Sequence, residues 1–216
     1  MRILFIFAHP DDEAYGPAGT IAKLSVDHDV TVVSLCNGAR PGSEHVSKVR
    51  TDAFIKSCNS LGARWKIYDT PDCTLNYADT LKSVEMLISH YQPEVVYTHS
   101  ITDVHQDHRL VAEACLVACR PKPDSSVSEL YFSEMPASTS WSFGKINGIF
   151  DPSVYNEVDI NVKKTALSYY TTEVYNFPDA RSIEAVEVLS KHRGYQSGFN
   201  YAEAFQLVFS RNRKIQ

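Results

Sequence analysis

Short apolar runs recur along the chain, each followed by a longer amphipathic stretch: RILFIFAH at 2–9, DVTVVSLC at 29–36, RWKIYD at 64–69 and EVVYTHS at 94–100. The first run is apolar at successive positions, so both faces of the strand it forms must be covered. In a parallel sheet, crossover helices do the covering. The alternation therefore predicts an α/β fold, a Rossmann-like, doubly wound, mostly parallel sheet flanked by helices. A chain of 216 residues, 44% of them hydrophobic, fits one such domain without disulfide or metal staples.

Helices are expected from about Ala18 to Val26, over 43–63, over 77–93 and over 107–120. In the second of these, Val46, Val49, Ala53 and Leu61 lie near one stripe, with Ser43 as N-cap and Gly62 as the stop. In the third, Leu81, Val84, Ile88 and Tyr91 share a face and Pro93 ends the helix. The fourth ends before Pro121. Beyond it the pattern weakens. SELYFSE at 128–134 reads as a strand, 133–160 as loop with short strands, 162–172 and 181–193 as helices, and EAFQLVFS at 203–210 as an edge strand.

The net charge of −5 argues against a nucleic-acid partner, since phosphate binding is dominated by Lys and Arg. Arg211, Arg213 and Lys214 make a basic end that reads as a solvated tail. Five scattered cysteines without a C-x-x-C pair indicate neither a disulfide framework nor a zinc knuckle, and suit reduced thiols in the cytoplasm. The run Ile3 to Ala8 is too short for a signal-peptide core, and no stretch has the length of a membrane span. Homo-oligomerisation is left open.

In open α/β sheets, sites form beyond the carboxyl ends of the strands. Two loops there carry nearly all the ligand-type residues: His9, Asp11, Asp12 and Glu13 after the first strand, and Asp103, His105, Asp107 and His108 after EVVYTHS. Read singly, each is a helix-entry loop, with Asp11, Asp12 or Asp107 as a cap. Read together, one His and one Asp from the first loop and one His from the second make a catalytic zinc set with a position left for water. A divalent cation also removes the mutual repulsion of carboxylates packed so closely. A dinucleotide site is disfavoured, because AHPDDEAYGPAG has no G-x-G-x-x-G and places acids where phosphate needs N–H groups. The metallo-β-lactamase motif H-x-H-x-D-H overlaps DVHQDH, but Asp103 stands at its first position and the β-α alternation does not suit a β-sandwich. His28, His45, His90 and His192 read as surface residues, and His99 as a strand-end residue abutting the site.

AHPDDE at 8–13, GTIAKL at 19–24, CNG at 36–38, Arg50 with LG at 61–62, and HQDH at 105–108 together resemble the LmbE-like/PIG-L family of zinc-dependent N-acetylglucosaminyl deacetylases. HRGYQSGFNYAEAF at 192–205 resembles the C-terminal segment of members acting on glucosamine-type thiol precursors. The resemblance implies Zn²⁺ held by His9, Asp12 and His108, a ligand set that also accepts Fe²⁺. It further implies Asp11 as general base, protonated His105 at the oxyanion, Asp107 orienting the His105 ring, and Arg50 facing the sugar. Spacing alone does not tell Asp11 from Asp12. The implied reaction is removal of an N-acetyl group from an N-acetylglucosamine-type sugar or its conjugate. A related metalloamidase cleaving a larger sugar or thiol-conjugate amide is the alternative, and a binding protein with a degenerate site is a further one. The chain departs from the family pattern at Ala53, where Glu is frequent, and at Tyr195-Gln196, where Ser-Gln is common. Trp141, Tyr169, Tyr170 and Tyr175 are candidates for a pocket wall or for core packing.

Overall fold

The computed structural model describes residues 1–136 and 138–212, so Arg213 and Lys214 of the basic end lie outside the described residues. A seven-stranded sheet runs through the molecule. Its first half is parallel: β1 (Arg2–Phe7) lies between β2 (Asp29–Ser34) and β4 (Val95–His99), with β3 (Arg64–Ile67) beyond β2 and β5 (Glu129–Ser133) beyond β4. The chain winds one way from β1 to β2 and β3 and the other way from β4 to β5. The strand order therefore reverses between β1 and β4, and a crevice opens at their carboxyl ends.

Alternation along β1 builds two cores. Ile3, Phe5 and Phe7 face a layer containing Phe54 of α3 (Glu44–Ser60) and Leu167 of α6 (Ile160–Ser168). Leu4, Ile6 and Ala8 face Val84 and Leu87 of α4 (Tyr77–Tyr91) and Val111, Ala114 and Cys115 of α5 (Gln106–Ala118). Each such fully buried large side chain contributes about 1.5–3 kcal/mol, which makes β1 a rigid base for the loop that follows it. No helix of the described residues is long and apolar enough to cross a membrane.

Two expectations need correction. The segment 203–210 is not an edge strand: β7 (Ala202–Ser210) pairs antiparallel with β5 on one side and with β6 (Val154–Glu157) on the other. Its first half is buried, whereas β6, the true edge, is a short half-polar VYNE with little strand signal. In α3 the buried face is Arg50, Ala53, Phe54, Ser57 and Cys58, and Val49 is 48% exposed. Polar residues at core-facing positions rotate the apparent stripe. Ser43 stands at the N-cap without a side-chain bond, and Gly62 ends the helix region at φ +72. The described residues also form α1 (Asp12–Tyr15), which the sequence pattern does not mark, α2 (Ala18–Ser25), a short 3-10 turn at Ser140–Ser142 and α7 (Ile183–Ser197).

Candidate metal centre and its cavity

The loop after β1 and the start of α5 meet over the β1–β4 crevice. Nδ1 of His9 lies 3.2 Å from Nε2 of His108 and 3.5 Å from Oδ2 of Asp12, and Nε2 of His108 lies 3.4 Å from Oδ1 of Asp12. A tetrahedral zinc with bonds of about 2.0–2.1 Å sets its ligand atoms about 3.3 Å apart, close to these separations, although His9 and His108 approach different oxygens of Asp12. Ligand atoms of His9, His105 and His108, and of Asp12, His99 and His108, gather within 4.8 Å of one another. Carboxylates stand behind both imidazoles. Oδ2 of Asp107 is 3.1 Å from Nε2 of His9 and also accepts the Cys73 N–H at 2.8 Å. Oδ2 of Asp103 is 3.2 Å from Nδ1 of His108 and is itself held by the hydroxyls of Ser138 (2.8 Å) and Thr139 (2.9 Å). Such outer partners fix ring orientation and raise ligand basicity at metal sites.

The electrostatics favour added positive charge. Burial works against a proton on His9, but Asp107 and Asp12 outweigh it and lift the ring to about 9. His108, likewise desolvated, is lifted to about 10 by Asp12 and Asp103. Burial opposes ionisation of Asp12 too, yet His108 and His99 hold its carboxyl well below the usual range. A field that binds protons this strongly also favours a divalent cation on the same atoms.

His105 and Asp107 differ from expectation. The Asp107 carboxylate addresses His9, while its backbone N–H donates to Nδ1 of His105 (3.2 Å), which caps α5 in the place expected for Asp107. The ring of His105 is thus oriented by residue 107 through the main chain, because the helix start leaves that N–H without a helical partner. Burial, with the His108 and His9 rings nearby, pushes His105 down to about 4. With Nδ1 accepting the Asp107 N–H, the neutral ring carries its proton on Nε2.

Asp11 has φ 122 and ψ −22, a conformation costing a non-glycine residue on the order of 1–3 kcal/mol. One of its carboxylate oxygens, Oδ2, accepts from Nη2 of Arg50 (2.9 Å) and Nη2 of Arg181 (2.6 Å). No described residue bonds the other oxygen, and Asp11 lines the cavity. Burial raises its pKa to about 6 against the pull of Arg50 and Arg181. Arg50 is fixed by the carbonyls of Gly38 (2.6 Å) and Pro10 (3.0 Å) and by Asp72 (3.3 Å). Gly38 is required there: its φ is +82, and a Cβ would lie 2.8 Å from the Arg50 side chain.

Several functional neighbours lack a sequence signal. Arg181 also pairs with Glu173 (2.8 Å) and lies over the rings of Tyr15 and Tyr175, yet in sequence it is only the first residue of the helix expected over 181–193, and it lies just before the Ser182 cap of α7. His99 does more than abut the site. It is fully buried, its ring stacks on His108 at 3.8 Å, and its Nε2 accepts the Ala8 N–H and lies 3.2 Å from Asp12. His28, His45, His90 and His192 line no part of the cavity, which measures about 600 Å³ and is also lined by Arg40, Val46, Met135, Trp141 and Tyr175. Of the four aromatics considered for its wall, Trp141 and Tyr175 line it, while Tyr169 and Tyr170 pack into the core.

The family model described as PIG-L: GlcNAc-PI de-N-acetylase matches residues 4–119, just over half of the 216-residue chain. A probable N-acetyl-alpha-D-glucosaminyl L-malate deacetylase 2 of Bacillus cereus is 28% identical over 138 residues. That match spans 56% of this chain and 62% of the relative, less than two thirds of its length. Among solved structures, N,N'-diacetylchitobiose deacetylase from Pyrococcus horikoshii superimposes with a TM-score of 0.78 at 19% identity, covering 96% of this chain and 83% of that one. GalB, the 4-carboxy-2-hydroxymuconate hydratase of Pseudomonas putida, does so with a TM-score of 0.75 at 21% identity, covering 100% and 99%. These likenesses show a shared fold, and the two proteins are named for different reactions. By the span of the family match, on a chain whose sheet, crevice and histidine–aspartate cluster have just been described, this protein belongs to the PIG-L family.

Proposed function

We propose that the chain is a single-domain, zinc-dependent hydrolase of the cytoplasm that removes the N-acetyl group from an N-acetylglucosamine-type amino sugar or its conjugate, with Fe²⁺ able to replace Zn²⁺. The observation that carries this reading is the division of labour between adjacent carboxylates. Asp12 turns to the two imidazoles, and Asp11 turns to two guanidiniums with one oxygen left to the cavity.

His9, Asp12 and His108 would hold the ion. When bound, it supplies Lewis acidity, making a water nucleophilic near neutral pH and polarising an amide carbonyl. Asp11 takes a proton from the attacking water through Oδ1, while Arg50 and Arg181 keep Oδ2 in place. Nε2–H of His105 donates to the oxygen that gains charge as the carbonyl becomes tetrahedral, a contribution of about 2.7–4 kcal/mol for a preorganised donor. Asp11 then delivers its proton to the nitrogen, the C–N bond breaks, and acetate and a free amine leave. Arg50 is buried against Asp11, so its part in sugar binding is indirect, and the exposed Arg40 and Trp141 at the mouth contact the remainder of the substrate.

The fold also carries the hydratase named above, so the test must read the bond cleaved. Acetate release from N-acetylglucosamine conjugates is expected from metal-loaded protein, to fall sharply in Asp11→Asn with metal content unchanged, and to vanish together with the metal in His108→Ala. Hydration of an unsaturated acid without acetate release would overturn the reading. Tight metal binding by His108→Ala would remove that residue from the ligand set.

A further inference from the structure

Glu13 is the third acid of HPDDE, and neither the metal set nor the base role uses it. It is fully buried and lies outside the cavity lining. Its Oε2 accepts the backbone N–H of Asp11 at 3.1 Å, and its Oε1 accepts the hydroxyl of Tyr170 at 2.5 Å. On the other side of Asp11, the carbonyl is fixed by the N–H groups of Ala14 (3.0 Å) and Tyr15 (2.9 Å) at the start of α1. Both peptide groups flanking the strained residue are therefore held.

The strain has a geometrical use. On a regular strand or helix, successive side chains diverge, by about 180° or about 100° respectively. Asp11 and Asp12 nevertheless face the same cavity, and the left-handed twist at Asp11 is what turns them together. Without an acceptor for its N–H, residue 11 would relax to an ordinary φ and carry its carboxylate away from Arg50 and Arg181.

We propose that Glu13, braced by Tyr170, is a positioning residue that clamps the Asp11 backbone in this twist and so aims the base beside the metal site. The proposal rests on the base role given to Asp11 above. Tyr170 follows α6, so the clamp also ties the catalytic loop to the second half of the chain.

The test is a kinetic double-mutant cycle on metal-loaded protein, with turnover expressed per bound metal. Glu13→Ala is expected to lower kcat by about 10²-fold, the cost of a misplacement near 1 Å, with KM little changed and metal stoichiometric. Glu13→Gln keeps an oxygen for the Asp11 N–H and an amide that donates to Tyr170, so it retains most of the rate. Combined with Asp11→Asn, Glu13→Ala should cost nothing further, because it acts through Asp11. A full additional loss in that background, equal damage in Glu13→Gln, or unchanged kcat in Glu13→Ala would overturn the clamp. If Glu13→Ala does not fold, Tyr170→Phe carries the cycle. A kcat loss seen with Asp11 and absent with Asn at that position supports the clamp, and no loss overturns it. Near wild-type turnover in Asp11→Asn would overturn the base assignment and the clamp with it, whereas an inactive Asp11→Asn beside a fully active Glu13→Ala overturns the clamp alone.

Discussion

Asp11 and Asp12 carry the same side chain on neighbouring residues, and their surroundings separate them. Burial pushes both carboxyls up, but the imidazoles keep Asp12 ionised while Asp11 settles at about 6 between two arginines. Environments that drive like groups apart in this way are how one site obtains both a ligand and a base. The side chains that would touch an ion or a water were legible in the sequence, because histidines and acids clustered at two strand ends have few other reasons to do so. Arg181 and the burial of His99 were not, and Asp103 and Glu13 stood out as loop acids without a legible role, since contacts made through other protein groups leave no spacing. Asp103 offers a test at this scale. Asp103→Asn keeps the shape behind Nδ1 of His108 and removes the charge, so metal affinity is expected to fall by about 10–100-fold. A metal titration against a competing chelator measures it, and unchanged affinity would show that the 3.2 Å contact does not tune the ligand.

Among the elements, β1, β2 and β4 were readable because a strand buried on both faces is largely apolar, whereas β3 is a mostly exposed edge strand marked only by its place in the alternation. The antiparallel addition was not readable, since β6 is short and half-polar and β7 is buried along only part of its length. Besides its pairing with β5, that addition is tied to the first half of the chain by a buried ion pair. Glu203 of β7 accepts the N–H groups of Gly19 (2.9 Å) and Thr20 (2.8 Å) at the start of α2, and pairs with Lys163 of α6 at 2.8 Å. Lys163 also donates to the carbonyl of Gly16, which ends α1. Glu203→Ala strips two helix-start donors of their acceptor and leaves a buried ammonium uncompensated, so a loss of about 3–5 kcal/mol is expected in denaturant unfolding. Adding Lys163→Met removes the orphaned charge and should restore part of that loss. If the double variant is as unstable as Glu203→Ala alone, the cost lies in the lost cap and not in the charge.

At the scale of the whole molecule, an ion held by the proposed ligands would act as a bridge. His9 and Asp12 follow β1, His108 lies in α5, and 99 residues separate the two histidines. An unfolded chain does not hold these atoms this close together, so a cation that fits them binds the folded state in preference to the unfolded one. Metal at about 100 times its Kd then adds about 2.7 kcal/mol of stability. For a domain of this length each kcal/mol raises Tm by about 2–4 °C, so zinc added to metal-stripped protein should lift Tm by about 5–10 °C. The shift must depend on the cluster and not on scattered surface acids. His108→Ala, which loses one donor and the contact to Asp103 behind it, should therefore unfold at the same temperature with and without zinc. A calorimetric scan in which wild type and His108→Ala gain equally would place the stabilising ion elsewhere on the molecule. A wild type that binds one equivalent of zinc with no shift would mean that the two loops do not meet on it.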